Sequence, residues 1–295
     1  MTASPEAPTG TIYDIGYRHY DGPRLGRRGA VMAIVGAGLR AVFGLGRSGR
    51  SKVLPWGAVV LALAPAVVAV AIRVLAGDLI DLYSYENYLW SVGILMPIFV
   101  AAQAPELVVN DIRQRVLPLY FSRPIGRFDY AVAKLAALAI GLLAITLVPV
   151  LVLFLGRILA AEDALAALGT EAGALPAIVG SGIIHAVALA SLGLAISSLA
   201  ARRGYAAAAV LAIFLVGGVV SAIFAESGAG LEEFAPFFNP LAILDGAREW
   251  LFGGTVAESP VGIAGLPLWT YGATALVLVL VSWAILALRY RRIPT

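Results

Sequence analysis

A glycine-rich stretch near the start of the chain has the residue types that bind phosphate groups in soluble proteins. Gly44-Leu-Gly46-Arg-Ser-Gly49 matches the pattern G-x-G-x-x-G, and the stretch up to Ser51 nearly matches a phosphate-binding loop, with Arg50 where lysine is required. Such a loop follows a β-strand and begins the helix of a soluble domain. Here the stretch follows an amphipathic segment and leads into a long apolar run. We therefore predict a flexible basic hinge at this position and no nucleotide site.

Few other residues have catalytic potential. The chain contains no cysteine, which excludes disulfides and thiolate chemistry, and only two histidines, His19 and His185. His185 lies in an apolar run, where a proton relay would need ionisable partners. No Asp, Glu, Lys or Arg occupies the middle of any such run, so we expect a neutral, hydrogen-bonded histidine packed between helices. We predict no catalytic residue, no metal site, no directly bound cofactor and no enzymatic activity in this chain.

Six long apolar runs are the elements that must position any functional residue. Mean hydropathy is +0.90 and only 13% of residues are charged, which is too little to cover a water-facing surface. Each run approaches the roughly 20 residues that a helix needs to cross a bilayer, and none alternates like a barrel strand. We predict an all-α integral membrane protein, a bundle of six transmembrane helices. The predicted spans are Trp56–Ala76, Tyr88–Pro105, Tyr130–Leu155, Leu175–Leu199, Tyr205–Phe224 and Leu268–Leu288.

The basic residues predict the orientation of these helices. If the amino terminus lies inside the cell, the inner segments hold 18 of the 21 lysines and arginines. The outer segments then hold only Arg73, Arg157 and Arg248. Because basic residues are enriched in the cytoplasmic loops of membrane proteins, we predict that both termini are cytoplasmic.

Small residues recur at spacings that allow helices to pack closely. These sets are Gly182, Ala186 and Ala190; Gly193, Ser197 and Ala201; and Gly217, Ser221 and Ala225. Near the span ends lie Lys134 and Arg73, whose long side chains are expected to extend to the membrane interface.

The chain divides into two predicted parts, a cytoplasmic amino-terminal segment over residues 1–52 and the membrane domain over residues 53–295. Within the first part, residues 29–46 have apolar side chains at helical spacing. This pattern predicts an amphipathic helix in the inner membrane interface. A soluble helix docked on a partner is the alternative. The basic residues assigned to the interfacial helix are Arg27, Arg28 and Arg40.

The cytoplasmic segment between the second and third spans, residues 106–129, is too apolar for a flexible linker. Its first half, Asn110–Val116, is predicted to be a short helix that ends before Pro118, because the residue before a proline disfavours helical geometry.

The last outer segment, residues 225–267, contains a second predicted short helix. Asn239 can cap a helix whose first residue is Pro240. An apolar stripe along this helix predicts that it re-enters the outer leaflet before the last span. A surface helix of an ordinary loop is the alternative.

The cytoplasmic segment contains a recognisable series of residues. They are Glu106, Asp111-Ile-Arg113, Leu117-Pro-Leu-Tyr-Phe-Ser122-Arg123-Pro124-Ile-Gly-Arg127-Phe-Asp129-Tyr130 and Lys134. This series resembles the coupling segment of ABC-2-type transporter permeases, whose usual form is a glutamate, a short basic helix, leucine-rich residues, Ser-Arg-Pro, an aromatic residue and a lysine that enters the next span. The amino-terminal segment also resembles the start of permeases from bacterial, notably actinobacterial, export systems. Its matching residues are Tyr13-Asp14-Ile-Gly16-Tyr17-Arg18-His19-Tyr20-Asp21-Gly22-Pro23-Arg24.

This resemblance implies the transmembrane permease subunit of an ATP-driven exporter in the bacterial cell membrane. ATP and Mg²⁺ would bind a separate ATPase subunit, a second permease subunit would complete the translocation path, and membrane lipids would surround the pair. No nucleic-acid partner is expected. The residues expected to couple to the ATPase are Glu106, Asp111, Arg113, Arg115, Arg123, Pro124 and Asp129.

The expected substrates are amphipathic small molecules, peptides or lipids, since the apolar spans offer an apolar lining. The competing hypothesis is a protein that works without an ATPase, either a membrane carrier or an assembly scaffold.

Overall fold

The computed structural model describes residues 22, 26–77, 82–122, 124–228, 230–254 and 259–292, and all regular structure in these ranges is helical, as predicted. Apart from Gly22, the motif Tyr13–Arg24 lies outside the described residues. Two short 3-10 helices cover Ala172–Ala174 and Glu232–Phe234. The α-helices are α1 (Gly26–Val42), α2 (Arg50–Ala76), α3 (Tyr85–Ser91), α4 (Leu95–Arg113), α5 (Leu117–Phe121), α6 (Arg127–Thr146), α7 (Val148–Ala160), α8 (Ala164–Glu171), α9 (Leu175–Leu199), α10 (Arg203–Ala225), α11 (Ala235–Phe238), α12 (Pro240–Phe252), α13 (Pro260–Ala264) and α14 (Trp269–Arg291).

Within the described residues, six helical segments are long and apolar enough to cross a membrane, which makes the chain a multi-pass membrane protein. The predicted fourth span agrees with α9 at both ends. The predicted first, fifth and sixth spans correspond to α2, α10 and α14, each of which is a few residues longer than predicted.

The predicted second span, Tyr88–Pro105, is wrong at both ends. The chain first forms α3, turns at residues 92–94, and then forms α4, which continues through Pro105 to Arg113. A proline removes one backbone hydrogen bond from a helix and crowds the preceding turn. Pro105 and the residues on both sides of it are buried against other helices, and we attribute the continuity of α4 to this packing.

The predicted third span, Tyr130–Leu155, is interrupted at Leu147. The helix α6 ends at Thr146, and α7 begins at Val148 with Pro149 in its first turn. Pro149 has no N–H to donate to the carbonyl group of Ile145, so the regular hydrogen-bond series stops there. The two helices still form one apolar segment long enough to cross a membrane.

The amino-terminal helix α1 packs against α6 and α4 of the same chain. Its buried residues include Ile34, Val35 and Val42, three members of the predicted apolar stripe. A Cβ atom on Gly38 would lie 2.6 Å from the Cβ of Ala137 in α6, so the two backbones approach closely. The stripe therefore faces the chain's own spans, and the location of α1 in the membrane interface stays a prediction.

The helix α9 lies at the centre of the bundle, where it packs against α4, α6, α12 and α14. Its small residues allow this packing. Gly193 lies directly against Val100 of α4, and a Cβ on Gly182 would lie 3.1 Å from the Cβ of Leu147. Close packing at these predicted small residues is confirmed.

The bundle has two unlike ends. At one end the carboxy termini of α4, α9 and α14 meet the amino termini of α2, α6 and α10; we call this the basic end, since Arg47, Arg203 and Arg289 lie there. The other end, which we call the opposite end, carries α8, α11, α12 and α13.

Candidate functional site

The turn that ends α4 at the basic end lies within the predicted coupling segment. The N–H of Val116 donates to the carbonyl of Asp111 at 3.2 Å. The N–H of Arg115 donates to the carbonyl of Ile112, also at 3.2 Å. This pattern is a Schellman turn, and it places Arg115 at φ 54°, in the left-handed region that glycine usually occupies. A side chain in that region costs roughly 1–2 kcal/mol.

The predicted coupling helix Asn110–Val116 is wrong in its bounds. Its first residues continue α4 as far as Arg113, and the separate short helix is α5, with Pro118 in its first turn. Proline fits the first turn of a helix because the N–H it lacks would have no partner there. Pro118 therefore begins a helix at the position where we expected one to end.

Glu106 joins three parts of the basic end. Its side chain is 5% exposed and forms ion pairs with Arg47, in the α1–α2 connection, and with Arg203, the first residue of α10. The Nδ2 atom of Asn110 lies 3.5 Å from a carboxylate oxygen of Glu106. A carboxylate removed from water needs such partners. These contacts hold α4 to the α1–α2 connection and to the start of α10.

Asp111 forms a second junction at the basic end. Its Oδ2 atom accepts a hydrogen bond from the Tyr130 hydroxyl at 2.7 Å and lies 2.8 Å from Lys134 Nζ. Lys134 is buried, with its ammonium group on Asp111 near the end of α4, and extension of its side chain to the membrane interface stays a prediction. The Tyr130 ring packs edge-to-face on Tyr290 of α14 and lies 5.6 Å from the ring of Tyr120 in α5. This junction links α4, α5, α6 and α14.

Asp129 forms the third junction. Both of its carboxylate oxygens accept hydrogen bonds from Arg27 of α1, and one also accepts from the N–H of Gly126 at 2.9 Å. The contact with Gly126 satisfies a backbone donor at the start of α6.

The predicted coupling residues therefore fall into two groups. The buried or partly buried acids Glu106, Asp111 and Asp129 form internal ion pairs, whereas Arg113, Arg115 and Pro124 are exposed. Arg123 lies outside the described residues. On α5, Leu119 is also exposed. The residues assigned to the interfacial helix, Arg27, Arg28 and Arg40, are all exposed.

The opposite end contains the helix that was predicted to follow Asn239. The side chain of Asn239 accepts a hydrogen bond from the N–H of Leu241 at 3.0 Å, and α12 begins at Pro240, as predicted. Leu244 and Ala247 are fully buried where α12 packs on α9 and α14. Entry of this helix into the outer leaflet stays a prediction.

A charged group on α12 was not predicted from the sequence. Arg248 Nη1 lies 2.8 Å from Asp245 Oδ1, and Arg248 Nη2 lies 3.9 Å from Glu249 Oε1. Arg248 and Glu249 are both buried. Burial raises the pKa of Asp245 to about 6, although the charge of Arg248 acts in the other direction. The available signal was three ionisable residues on a helix that otherwise has an apolar stripe.

Two adjacent cavities flank this charged group. The first, of about 530 Å³, is lined by Asp245, Arg248 and Glu249 together with aromatic residues that include Trp90. The second, of about 460 Å³, has a mainly apolar lining of α3, α4 and α10 residues. Trp90, Asn239 and Asp245 line both cavities, so the two spaces are neighbours.

His185 lies in the wall of the second cavity. It is 2% exposed, and its Nδ1 atom lies 2.8 Å from the carbonyl oxygen of Ser181. The prediction of a hydrogen-bonded histidine packed between helices is confirmed.

The glycine-rich stretch connects two helices, α1 and α2, as predicted, and does not follow a strand. Among the residues that the structure describes, no group of three or more histidine, aspartate or glutamate side chains is placed to hold a metal ion. Comparison with known proteins gives no match to a family model and no significant match to a curated protein sequence.

Proposed function

We propose that the chain is the membrane-spanning permease subunit of an ATP-driven exporter. A separate ATPase subunit would dock on the turn between α4 and α6 and supply the energy. The resemblance of residues 106–134 to ABC-2 coupling segments suggests this function. The observation that carries it is an exposed turn at the end of α4 whose base is joined to α6, α10 and α14 by buried and partly buried contacts.

The exposed part of the turn offers charge and apolar surface side by side. Arg113 and Arg115 are exposed at the end of α4, and Leu119, 69% exposed, lies just after them on α5. Protein interfaces combine an apolar centre with complementary charge at the rim. A cleft with acidic edges and an apolar floor on the ATPase would fit this surface.

The base of the turn can pass a displacement to the spans. Asp111 is bound to α6 through Lys134 and Tyr130, and Glu106 is bound to α10 through Arg203. A push on α5 would therefore move α4, α6, α10 and α14 together rather than bend one loop. In this proposal Glu106, Asp111 and Asp129 position the turn, and direct contact of these acids with the ATPase stays a prediction.

The left-handed backbone of Arg115 also favours a functional surface. An unfavourable backbone conformation persists where the side chain is needed or the surroundings impose it. A glycine would satisfy the turn at lower cost, yet an exposed arginine occupies it.

The test compares two charge reversals at the basic end, Arg113→Glu and Arg291→Glu, with Arg291 also exposed on α14. Each variant is co-expressed with an ATPase encoded next to the chain's gene, and ATP hydrolysis in the purified complex is measured. We expect Arg113→Glu to lose most of the co-purified ATPase and Arg291→Glu to retain it. Equal, mild effects in both would refute docking at this turn. The lack of any neighbouring ATPase gene would favour the carrier or scaffold hypothesis.

A further inference from the structure

The first cavity at the opposite end contains a buried hydrogen-bond donor without a partner. Arg248 lines this cavity and is 2% exposed, and its Nε atom has no hydrogen-bond partner among the described residues. A buried N–H that stays unpaired costs free energy, so an oxygen atom of a bound molecule would remove that cost. The cavity therefore favours a ligand that carries a hydrogen-bond acceptor.

A second donor lies where the two cavities meet. Asn239 lines both cavities, and its side-chain oxygen accepts a hydrogen bond from the N–H of Leu241 at 3.0 Å. Because only the oxygen of an amide group can accept, this contact fixes the orientation of the amide and leaves its Nδ2 group to donate. Asn239 and Arg248 thus favour the same kind of ligand group.

The charges next to Arg248 favour a ligand without a formal charge. Arg248 Nη1 lies 2.8 Å from Asp245, and Glu249, which lies 3.9 Å from Nη2, takes part in a further interaction. The guanidinium charge is therefore already balanced within the protein. A ligand anion would be repelled by the two carboxylates and a ligand cation by the guanidinium, and both repulsions are strong where water is scarce. A neutral carbonyl oxygen incurs neither cost.

The second cavity can hold the apolar part of the same ligand. Its lining is mainly apolar and includes Met96, Phe214 and Leu215, and Trp90 lies at the boundary of both cavities. Small-molecule sites combine apolar walls with a few well-placed polar groups, and the adjoining cavities have this arrangement. An alkyl chain in the second cavity would leave its polar head group beside Arg248 in the first.

We infer that the paired cavities bind an uncharged amphiphile whose carbonyl oxygen accepts the N–H of Arg248 and whose alkyl chain lies in the second cavity. This inference narrows the substrate class of the proposed exporter, and it rests on the proposed function only where transport is concerned. Binding to the isolated chain requires no ATPase, so failure of binding and failure of ATPase coupling are separate results.

The experiment measures equilibrium binding of tritiated decanamide to the purified chain in lipid nanodiscs, with the uptake by empty nanodiscs subtracted. Decanoate and decylammonium, which have an alkyl chain of similar length and a negative or positive head group, are the competitors. We expect saturable binding that unlabelled decanamide displaces and that neither charged competitor displaces at equal concentration.

The decisive variant is Arg248→Lys, which keeps the positive charge but removes the Nε–H. We expect it to weaken decanamide binding about tenfold, because a hydrogen bond to a charged donor is lost. The matched control is Arg73→Lys, the same change near the end of α2 at the same end of the bundle and outside both cavities, which should bind like the wild type.

Three results would overturn the inference. They are the lack of saturable decanamide binding, equal displacement by decanoate or decylammonium, and unchanged affinity in Arg248→Lys. If Arg248→Lys elutes as an aggregate, Trp90→Ala decides, since this side chain is 69% exposed and its loss leaves the core intact. A loss of affinity of about tenfold in Trp90→Ala would support the site, and wild-type affinity would refute it.

Discussion

Arg27 of α1 donates two hydrogen bonds, at 2.8 and 2.7 Å, to the two carboxylate oxygens of Asp129, which lies 102 residues later in the chain. The planar guanidinium fits a carboxylate in this two-point geometry. The contact fixes the start of α1 to the start of α6 at the basic end.

The two partners should differ in their contributions to stability. Asp129→Ala removes both the ion pair and the acceptor for the N–H of Gly126, so we expect a loss of about 1–2 kcal/mol. Arg27→Ala removes only the ion pair, whose arginine is exposed to solvent, so we expect a smaller loss of stability than in Asp129→Ala. Thermal unfolding of both variants and of the double variant in nanodiscs measures the difference. Equal losses in the two single variants would mean that the contact with Gly126 contributes nothing.

Glu106→Gln should destabilise the basic end. The change leaves Arg47 and Arg203 facing each other without a counter-charge, and we expect a loss of about 1–3 kcal/mol, since both arginines remain partly solvated. Glu233→Gln, at an exposed glutamate of the opposite end, is the control. Unfolding of the two variants at low and high salt measures the effect. A Glu106→Gln protein as stable as the control would show that the ion pairs of this buried carboxylate with Arg47 and Arg203 do not stabilise the fold.

Two glycines of α1 should respond in opposite directions to the same substitution. A Cβ on Gly38 would lie 2.6 Å from the Cβ of Ala137, whereas a Cβ on Gly36 would meet nothing within 4 Å. We expect Gly38→Ala to destabilise by about 1–3 kcal/mol through overpacking. Gly36→Ala should stabilise by about 0.5–1 kcal/mol through helix propensity. Unfolding measurements should also find that Ala137→Gly restores the Gly38→Ala protein; no restoration would contradict direct contact of α1 with α6.

Arg115 is expected to lower the stability of the protein while it contributes to ATPase docking. Arg115→Gly keeps the Schellman turn and removes the cost of a left-handed side chain, so we expect about 1 kcal/mol of added stability. Arg115→Ala removes the same charge but keeps the unfavourable backbone. Both variants should retain less ATPase in co-purification, while only the glycine variant should unfold at a higher temperature. Full ATPase retention in both would remove Arg115 from the docking surface.

The predicted orientation can be tested with single cysteines, because the chain contains none. Cysteines at Ala161 and Ser227 should react with an impermeant maleimide in intact cells, and cysteines at Ser4 and Thr295 should react only after lysis. The basic asymmetry of the loops is the physical basis for this expectation. Labelling of both termini in intact cells would reverse the predicted topology.

Local patterns predicted the fold well where a single segment decides the structure. The bounds of α9 follow from one apolar run, and the start of α12 follows from Asn239 next to Pro240, both of which are readable without knowing any neighbour. The helix ends predicted at Pro105 and before Pro118 were wrong. The effect of a proline on a helix depends on packing and on position within the first turn, and neither was evident from the segment alone.

The candidate sites were predicted only in part. The sequence placed Glu106, Asp111 and Asp129 near one another, but it could not pair Asp129 with Arg27 or Glu106 with Arg203. Such contacts join residues that are distant in the chain, and no periodic pattern in the local sequence indicates them. The charged group around Arg248 was missed because its residues were counted only as loop charges.

The position of Glu106 between two arginines also determines the order in which its ion pairs can form during synthesis of the chain. Arg47 leaves the ribosome before Glu106, but Arg203 emerges only after the fourth apolar segment, so the carboxylate acquires its partners at two separate times. Until α10 inserts, Glu106 has only Arg47 of these two partners, while Asp111 already joins the end of α4 to Lys134 of α6. The growing chain would therefore carry a carboxylate with one of its two arginine partners until the fifth span is in the membrane, so the contact of α4 with α10 is completed late in synthesis.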